Sequence, residues 1–112
     1  MTGKKAYQKK IQAKLKQWGA EIDYWADAVD HAETQVKRAL SRQMQELQTK
    51  QEMLAKKLED LKKVSEASWE DLKGGTEKAG VDVRNAIDSV KKAFRQAVSR
   101  FKDTRTGTGR PN

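Results

Sequence analysis

Apolar residues recur every three or four positions from Ile11 almost without interruption to Leu72. This spacing places them on one stripe along a helix, which is typical of a coiled-coil seam where side chains of one helix fill gaps on a partner. The pattern therefore predicts an all-α protein. This stripe, the front seam, consists of Ile11, Leu15, Trp18, Ile22, Trp25, Val29, Ala32, Val36, Leu40, Met44, Leu47, Leu54, Leu58, Leu61 and Leu72.

The front seam has two irregularities. Three consecutive steps of four residues join its two heptad-spaced stretches, between Ala32, Val36, Leu40 and Met44. Such a stutter locally unwinds a left-handed supercoil without breaking the helix. Farther along, Ser65 and Ser68 occupy core positions, where polar residues weaken a seam or fix its register. We interpret both irregularities as tolerated within a single coiled-coil helix over residues 4–73.

A glycine pair follows this long helix. Gly74 and Gly75 predict a turn or a kink, because glycine adopts the conformation that ends a helix at the least cost. A shorter amphipathic helix is expected over residues 76–102, and the aperiodic residues 103–112 are expected to be disordered. The apolar positions of the second helix are Val83, Ile87, Val90, Phe94, Ala97 and Phe101.

The predicted second helix is too short to cover the first. If the glycine pair forms a tight turn, Phe101 lies opposite about residue 48, because antiparallel helices retrace equal lengths. The stretch from Ile11 to Met44 then stays exposed, and each large apolar side chain in water forgoes about 1.5–3 kcal/mol. A whole domain is stable by only ~5–15 kcal/mol. We therefore expect another polypeptide, a second copy or a helical partner, to cover this stretch. If the glycines instead kink one continuous rod, the need for a partner is greater.

Composition and charge narrow the class of protein. The chain has 112 residues, of which 36% are charged, and it contains no cysteine. The lack of cysteine fits a reducing compartment, and no apolar segment resembles a secretion signal or a membrane span. We therefore expect a cytoplasmic protein. Its net charge of +8 alternates in blocks along the chain, from six lysines and no acid in residues 1–20 to five acids and no lysine or arginine in residues 21–36. Such blocks usually set the register between neighbouring helices.

Residues that could support catalysis or metal binding are few. The one histidine, His31, lies near Asp23, Asp27 and Asp30, but the heptad register places all four on the outer side of the helix. Metal sites in helical bundles are built from side chains that point inward, so a solvated acidic surface is the better interpretation. No phosphate-binding loop or activated nucleophile is present in the sequence. We expect no enzyme activity, no cofactor, no metal and no small-molecule substrate.

Two binding functions remain as alternatives. The second helix combines an apolar stripe with Lys91, Lys92, Arg95 and Arg100, and a basic amphipathic helix can lie on an anionic membrane surface. Non-specific binding of nucleic acid is a weaker alternative, because only Tyr7 offers a stacking ring near the first basic block. The basic ends that would contact nucleic acid comprise Lys4, Lys5, Lys9, Lys10, Lys14, Lys16, Arg95, Arg100, Lys102, Arg105 and Arg110.

Three stretches also resemble known sequences. They are KKAYQKKIQAKLKQWGAEID (4–23), QTKQEMLAKKLEDLKKVSEASWEDLKGGTEKA (48–79) and AVSRFK (97–102). Together they resemble a family of short bacterial coiled-coil proteins without assigned function, and SWEDLKGGTEKA is the most specific part. The resemblance implies a bacterial helical protein and no catalytic residues. A looser likeness to apolipoprotein-type and stress-related amphipathic helices is compatible with the membrane alternative.

The sequence thus predicts a non-enzymatic structural or protein-interaction module that self-associates. The oligomer contacts are expected at Ile11, Leu15, Trp18, Ile22, Trp25, Val29, Val36 and Leu40. Packing within the hairpin or bundle is expected at Leu47, Leu54, Leu58, Leu61, Leu72, Val83, Ile87, Val90, Phe94 and Phe101, with the hinge at Gly74 and Gly75.

Overall fold

The computed structural model describes residues 3–109, and it describes side chains as far as residue 100. The described chain forms three helices and no strand, which confirms the all-α class. The helices are α1 (Gly3–Asp30), α2 (Thr34–Lys63) and α3 (Trp69–Gly109). Two links of three and five residues join them, and each reverses the direction of the chain.

Contacts between distant residues show that α1 and α3 run parallel and that α2 runs opposite to both. The Lys4 ammonium, at the start of α1, donates to the carbonyl of Lys62 at 3.2 Å and to that of Val64, at the end of α2. The rings of Trp25 and Phe94, near the far end of the bundle, are 5.3 Å apart. The result is an elongated up-down-up bundle that measures 70 × 17 × 16 Å.

The first turn, at residues 31–33, interrupts the helix that the seam spacing predicts to be continuous over residues 4–73. The amide of His31 donates to the carbonyl of Asp27 at 3.0 Å, and that of Ala32 donates to Val29 at 3.1 Å. Glu33 then has extended backbone angles, φ −63° and ψ 154°, before α2 begins. The four-residue steps at this point thus mark a chain reversal and not a stutter, and the reversal buries both Val29 and Val36.

The second turn lies at residues 64–68, about eight residues before the predicted one at Gly74 and Gly75. Val64 leaves the helix with an extended backbone, φ −86° and ψ 161°. The Ser65 hydroxyl donates to the Ser68 hydroxyl at 3.2 Å, and the Asp71 amide donates to the Ser68 carbonyl at 3.1 Å. Serine side chains compete for backbone hydrogen bonds and favour turns. The two seam serines therefore end one helix and precede the next.

Gly74 and Gly75 lie inside α3 and form neither a turn nor a kink between helices. No glycine in the described chain has a positive φ, so neither residue uses the conformational freedom on which the turn prediction depended. The buried Thr76 follows them, and its hydroxyl donates to the Leu72 carbonyl one turn earlier at 2.9 Å. Burial on both sides of the pair holds these weak helix formers in the helix.

The C-terminal part of α3 continues beyond the predicted end at residue 102. The helix runs to Gly109, so residues 103–109, predicted to be disordered, are helical, and no proline precedes position 111. The side chains of Phe101, Lys102 and Arg105 lie outside those that the structure describes. Arg110, with the rest of residues 110–112, lies outside the described residues altogether.

The core of the bundle covers the front seam within one chain. Leu40, Leu47, Leu54 and Leu61 of α2 are fully buried. Two turns divide the chain into three helices that lie side by side, so the stretch from Ile11 to Met44 packs against the rest of the same chain. A covering partner was expected because a short second helix would leave this stretch exposed. In this structure the chain itself covers the stretch.

Candidate functional site

His31 lies in an acidic patch on the surface of the bundle, at the first turn. The His31 ring lies on the surface, with Nδ1 3.3 Å from an Asp27 carboxylate oxygen and 2.9 Å from the Asp27 carbonyl. The backbone hydrogen bond with Asp27, and then its carboxylate, raise the pKa of His31. Asp30 pairs instead with Lys37 at 3.8 Å. This patch is a set of exposed ion pairs next to the first turn.

The described part of the chain presents neither a metal-binding cluster nor a bilayer-spanning helix. No group of three or more His, Cys, Asp or Glu side chains there is arranged to hold a metal ion. None of the helices, over the same residues, combines the length and apolar character needed to cross a bilayer.

The contact between α1 and α3 is built from aromatic rings, and it differs in this from the aliphatic core. Tyr7 and Trp69 lie with their ring centroids 5.6 Å apart near the start of both helices. Trp25 and Phe94 meet edge to face at 5.3 Å near the other end. Trp18 lies between these two pairs and is half-buried. An aromatic seam therefore follows the whole length over which α1 and α3 are in contact.

Trp18 packs over a glycine of α3. A Cβ atom at Gly80 would lie 3.8 Å from the indole atoms Cη2 and Cζ3, an ordinary contact distance. The indole edge thus lies above the bare backbone of α3. Around this contact is an open cleft of about 240 Å³, whose apolar surfaces also include Ile11 and Val81. We call it the Trp18 cleft.

Cationic side chains line both sides of the aromatic seam. The Lys73 ammonium lies 5.6 Å from the ring centroids of both Tyr7 and Trp69, and Lys14 lies 5.8 Å from that of Trp18. These separations are within the range of cation–π attraction. Lys91 lies 3.9 Å from Glu21 and pairs across the two helices. The cations thus stay close to the rings.

Helical spacing shows which other charges share this side of the bundle. On α3, steps of three, four or seven residues keep one set of charged residues on the flank that meets α1, and Lys10 and Lys14 of α1 line the cleft opposite. We call this side, with the aromatic seam, the α1–α3 face. Its cations are Lys10, Lys14, Lys73, Arg84, Lys91 and Arg95, and its acids are Glu21, Glu70, Glu77 and Asp88. Positive charge is therefore in excess by two.

The environment of Tyr7 shows that water is largely excluded from the start of the aromatic seam. Burial, and secondly the nearby Glu77 carboxylate, raise the pKa of the Tyr7 hydroxyl to about 12. The hydroxyl also lies 3.4 Å from the Lys73 carbonyl, to which it donates. The seam is closed at this end and opens toward Trp18, which is the more exposed ring.

The residues predicted as oligomer contacts are buried or half-buried by contacts within the single chain. Ile11, Ile22, Val29, Val36 and Leu40 are buried, whereas Leu15, Trp18 and Trp25 are half-buried. The residues predicted to pack within the bundle also lie in the core, except that Leu72 and Phe94 are half-buried and the side chain of Phe101 is outside the described set. The buried members are Leu47, Leu54, Leu58, Leu61, Val83, Ile87 and Val90.

Sequence reasoning missed part of this face. The sequence pattern suggests a role for Tyr7 only as a stacking ring for nucleic acid, and it suggests none for Trp69 or Lys73. Tyr7 lies four residues before Ile11, so the seam spacing already extends to it. No sequence signal links Trp69 to Tyr7, because their contact depends on where the chain turns.

The chain was compared with families of known proteins, with curated proteins and with solved structures, and no match was found in any of the three.

Proposed function

We propose that this protein is a non-enzymatic helical module that binds the surface of anionic membranes through its α1–α3 face. The observation that carries this proposal is the aromatic seam with its flanking cations. Tryptophan and tyrosine favour the region between water and hydrocarbon, because one part of the ring system is apolar and another forms hydrogen bonds. Lysine and arginine beside them attract anionic headgroups.

The proposal differs from a membrane-bound second helix, the alternative raised by the sequence. Val83 and Val90 of that helix are fully buried and Ile87 is nearly so. They face the core of the bundle, and an intact bundle cannot offer them to a lipid. Three rings of the α1–α3 face, those of Trp18, Trp25 and Phe94, remain partly accessible in the folded bundle, whereas Tyr7 and Trp69 are buried. Tyr24 beside them is 65% exposed, and Val81 is 54% exposed.

The electrostatic part of the proposal has an expected size. Each lysine or arginine near an anionic surface contributes about 1 kcal/mol, and salt screens this attraction within a Debye length. The absence of cysteine fits a protein on the cytoplasmic side of a membrane. A peripheral protein of this kind requires no helix that spans the bilayer.

Vesicle flotation tests the proposal. We expect the protein to float with vesicles of phosphatidylcholine and phosphatidylglycerol, to stay behind with phosphatidylcholine alone, and to be released by salt. Replacing Lys91 and Arg95 with glutamine should weaken binding roughly tenfold to thirtyfold, at about 1 kcal/mol per charge. The matched control replaces Arg38 and Lys56, which are exposed on α2, and should bind almost as well as the wild type. Equal loss in both variants, or no flotation at all, would refute the proposal.

Self-association is a second candidate, now supported by the length of α3. This helix has 41 residues, against 28 in α1 and 30 in α2. At 1.5 Å per residue it extends roughly 15–20 Å past its neighbours. A lone helical segment shorter than about 12–15 residues is marginal in water, so contact with a second copy of α3 would stabilise it.

Sedimentation equilibrium tests this second candidate. We expect a dimer at micromolar concentration, which Val98→Asp should convert to monomer, because Val98 is 38% exposed at the point where the projection starts. Val81→Asp introduces the same change elsewhere on α3 and should leave the mass unchanged. A monomeric wild-type protein would exclude self-association through this segment.

A further inference from the structure

We propose that the Trp18 cleft is a binding site for the headgroup of one anionic phospholipid. This inference rests on the proposed function and adds a specific site to it. The cleft lies where the α1–α3 face is open, with Ile11 and Trp18 on the side of α1 and Gly80 and Val81 on the side of α3.

Charge selects the class of occupant. Lys10 and Lys14 line the cleft from α1, Arg84 lines it from α3, and Glu77 is the one acid among its lining residues. Lys14 also lies 5.8 Å from the ring centroid of Trp18, so a cation and an apolar ring adjoin in the same cleft. A phosphate diester can accept hydrogen bonds from these cations, while the glycerol and the first acyl carbons contact the indole.

Polarity distinguishes this cleft from the one between α2 and α3. That second cleft has a similar volume, but its lining is mainly polar and includes Gln43, Lys50 and Asp82. It offers less apolar surface to a lipid than the Trp18 cleft does, with no aromatic ring, and its two acids, Glu46 and Asp82, oppose an anion. The combination of an indole, two aliphatic side chains and three cations occurs in the Trp18 cleft.

Gly80 supplies the floor of the site. Its backbone has ordinary helical angles, so the position does not need glycine for its conformation. An alanine Cβ would make only ordinary contact with Trp18, so the indole does not need glycine for its packing. Glycine in the middle of a helix costs about 1 kcal/mol relative to alanine. A side chain larger than alanine at this position would meet the indole and narrow the cleft.

The size of the cleft limits what enters it. Its volume of about 240 Å³ is below the ~300–1,000 Å³ of sites that enclose drug-sized ligands. A whole phospholipid does not fit, but a headgroup with the adjoining glycerol does. The acyl chains would remain in the membrane, against which the rest of the α1–α3 face lies.

A soluble short-chain lipid tests the site without a membrane. The probes are dihexanoyl phosphatidylglycerol and dihexanoyl phosphatidylcholine, both below their critical micelle concentrations, and inorganic phosphate. Binding is followed through the indole N–H signals of the three tryptophans by NMR, with Trp18 assigned from Trp18→Phe. We expect a saturable shift of the Trp18 signal with phosphatidylglycerol, and at least fivefold weaker binding of phosphatidylcholine and of phosphate.

Two variants locate the binding. Gly80→Leu fills the floor and should weaken phosphatidylglycerol binding at least tenfold. Gly74→Leu makes the same change on the same helix, where a Cβ meets nothing within 4 Å, and should bind as the wild type does. If Gly80→Leu misfolds, Arg84→Gln against Arg38→Gln provides the same comparison, with at least fivefold weaker binding expected for Arg84→Gln alone.

The outcomes separate this inference from the proposed function. Equal shifts of all three indoles, equal affinity for phosphate, or equal binding by Gly80→Leu and Gly74→Leu would overturn the cleft as a headgroup site. If the wild type floats with anionic vesicles but shows no saturable Trp18 shift, the cleft is not a headgroup site and the proposal of membrane binding stands. If it does neither, both proposals fail.

Discussion

The two interfaces that α3 makes within the bundle are built from different side chains. Against α2 it packs aliphatic residues, and Leu47, Leu54, Val83 and Val90 are fully buried. Against α1 it packs aromatic rings with cations beside them, and beyond the buried pair at the start of the seam these rings are partly open to solvent. Dry aliphatic packing maximises the area removed from water, whereas aromatic groups at a wet edge retain surface for other contacts. The comparison indicates that the α2–α3 interface stabilises the fold and that the α1–α3 face is available for binding.

The largest effect should come from the aliphatic interface. Leu54→Ala removes a fully buried side chain, and it should lower the free energy of unfolding by about 2–5 kcal/mol. Urea unfolding followed by circular dichroism measures this. Met53→Ala, at the neighbouring position that is 49% exposed, should change stability by less than ~0.5 kcal/mol. Similar losses at the two positions would show that this interface is not the core.

The aromatic seam should contribute less to stability and more to binding. Trp18→Ala and Trp25→Ala should each cost about 1–2 kcal/mol, below the ~3–5 kcal/mol of a fully buried aromatic ring, because both indoles are half-exposed. The double variant should also lose flotation with anionic vesicles. A shift in its solution mass toward monomer would instead support the front seam as an oligomer contact.

Alanine at the glycine pair distinguishes a helix interior from a turn. Gly74→Ala and Gly75→Ala should each stabilise the protein by up to about 1 kcal/mol, because both residues are helical and an added Cβ meets no close atom. Gly3→Ala is the contrast, since its Cβ would lie 3.1 Å from Trp69 Cζ2, and it should gain less or destabilise. Thermal unfolding measures all three. Destabilisation by alanine at residues 74 and 75 would indicate that the chain turns there and that α3 is not continuous through the glycine pair.

The smallest effect concerns pH at the first turn. Because Asp27 raises the pKa of His31 in the folded protein, protonation of His31 stabilises the folded state. This stabilisation is fully present below about pH 6.5, the value for an unperturbed histidine, and it is lost as the pH rises through the raised folded-state pKa. An NMR titration of His31 should give a pKa above that of an unfolded peptide. In Asp27→Asn the carboxylate contribution is absent, and the pKa should fall toward the ordinary value.

Several features could be predicted from the sequence because they depend on local spacing. The periodic stripe from Ile11 to Leu72 identified the helical class, and most of its members are buried. The same spacing named Trp18 and Trp25 as notable seam residues. Extended by one step, it would also have included Tyr7. The sequence by itself thus determined which side of each helix turns inward, since this follows from 3.6 residues per turn.

Only the tertiary structure decided where the chain turns and what covers each stripe. The four-residue steps after Ala32 and the polar seam position at Ser65 mark the two turns, but each is also compatible with a continuous helix. From the sequence, the glycine pair is the stronger signal for the end of a helix. The choice depends on the total burial that each arrangement achieves. Two turns give three helices that lie side by side and bury one another's stripes, and this gain outweighs the weak helix preference of Gly74 and Gly75. Trp18 meets Gly80, and Tyr7 meets Trp69, only as a consequence of that global packing.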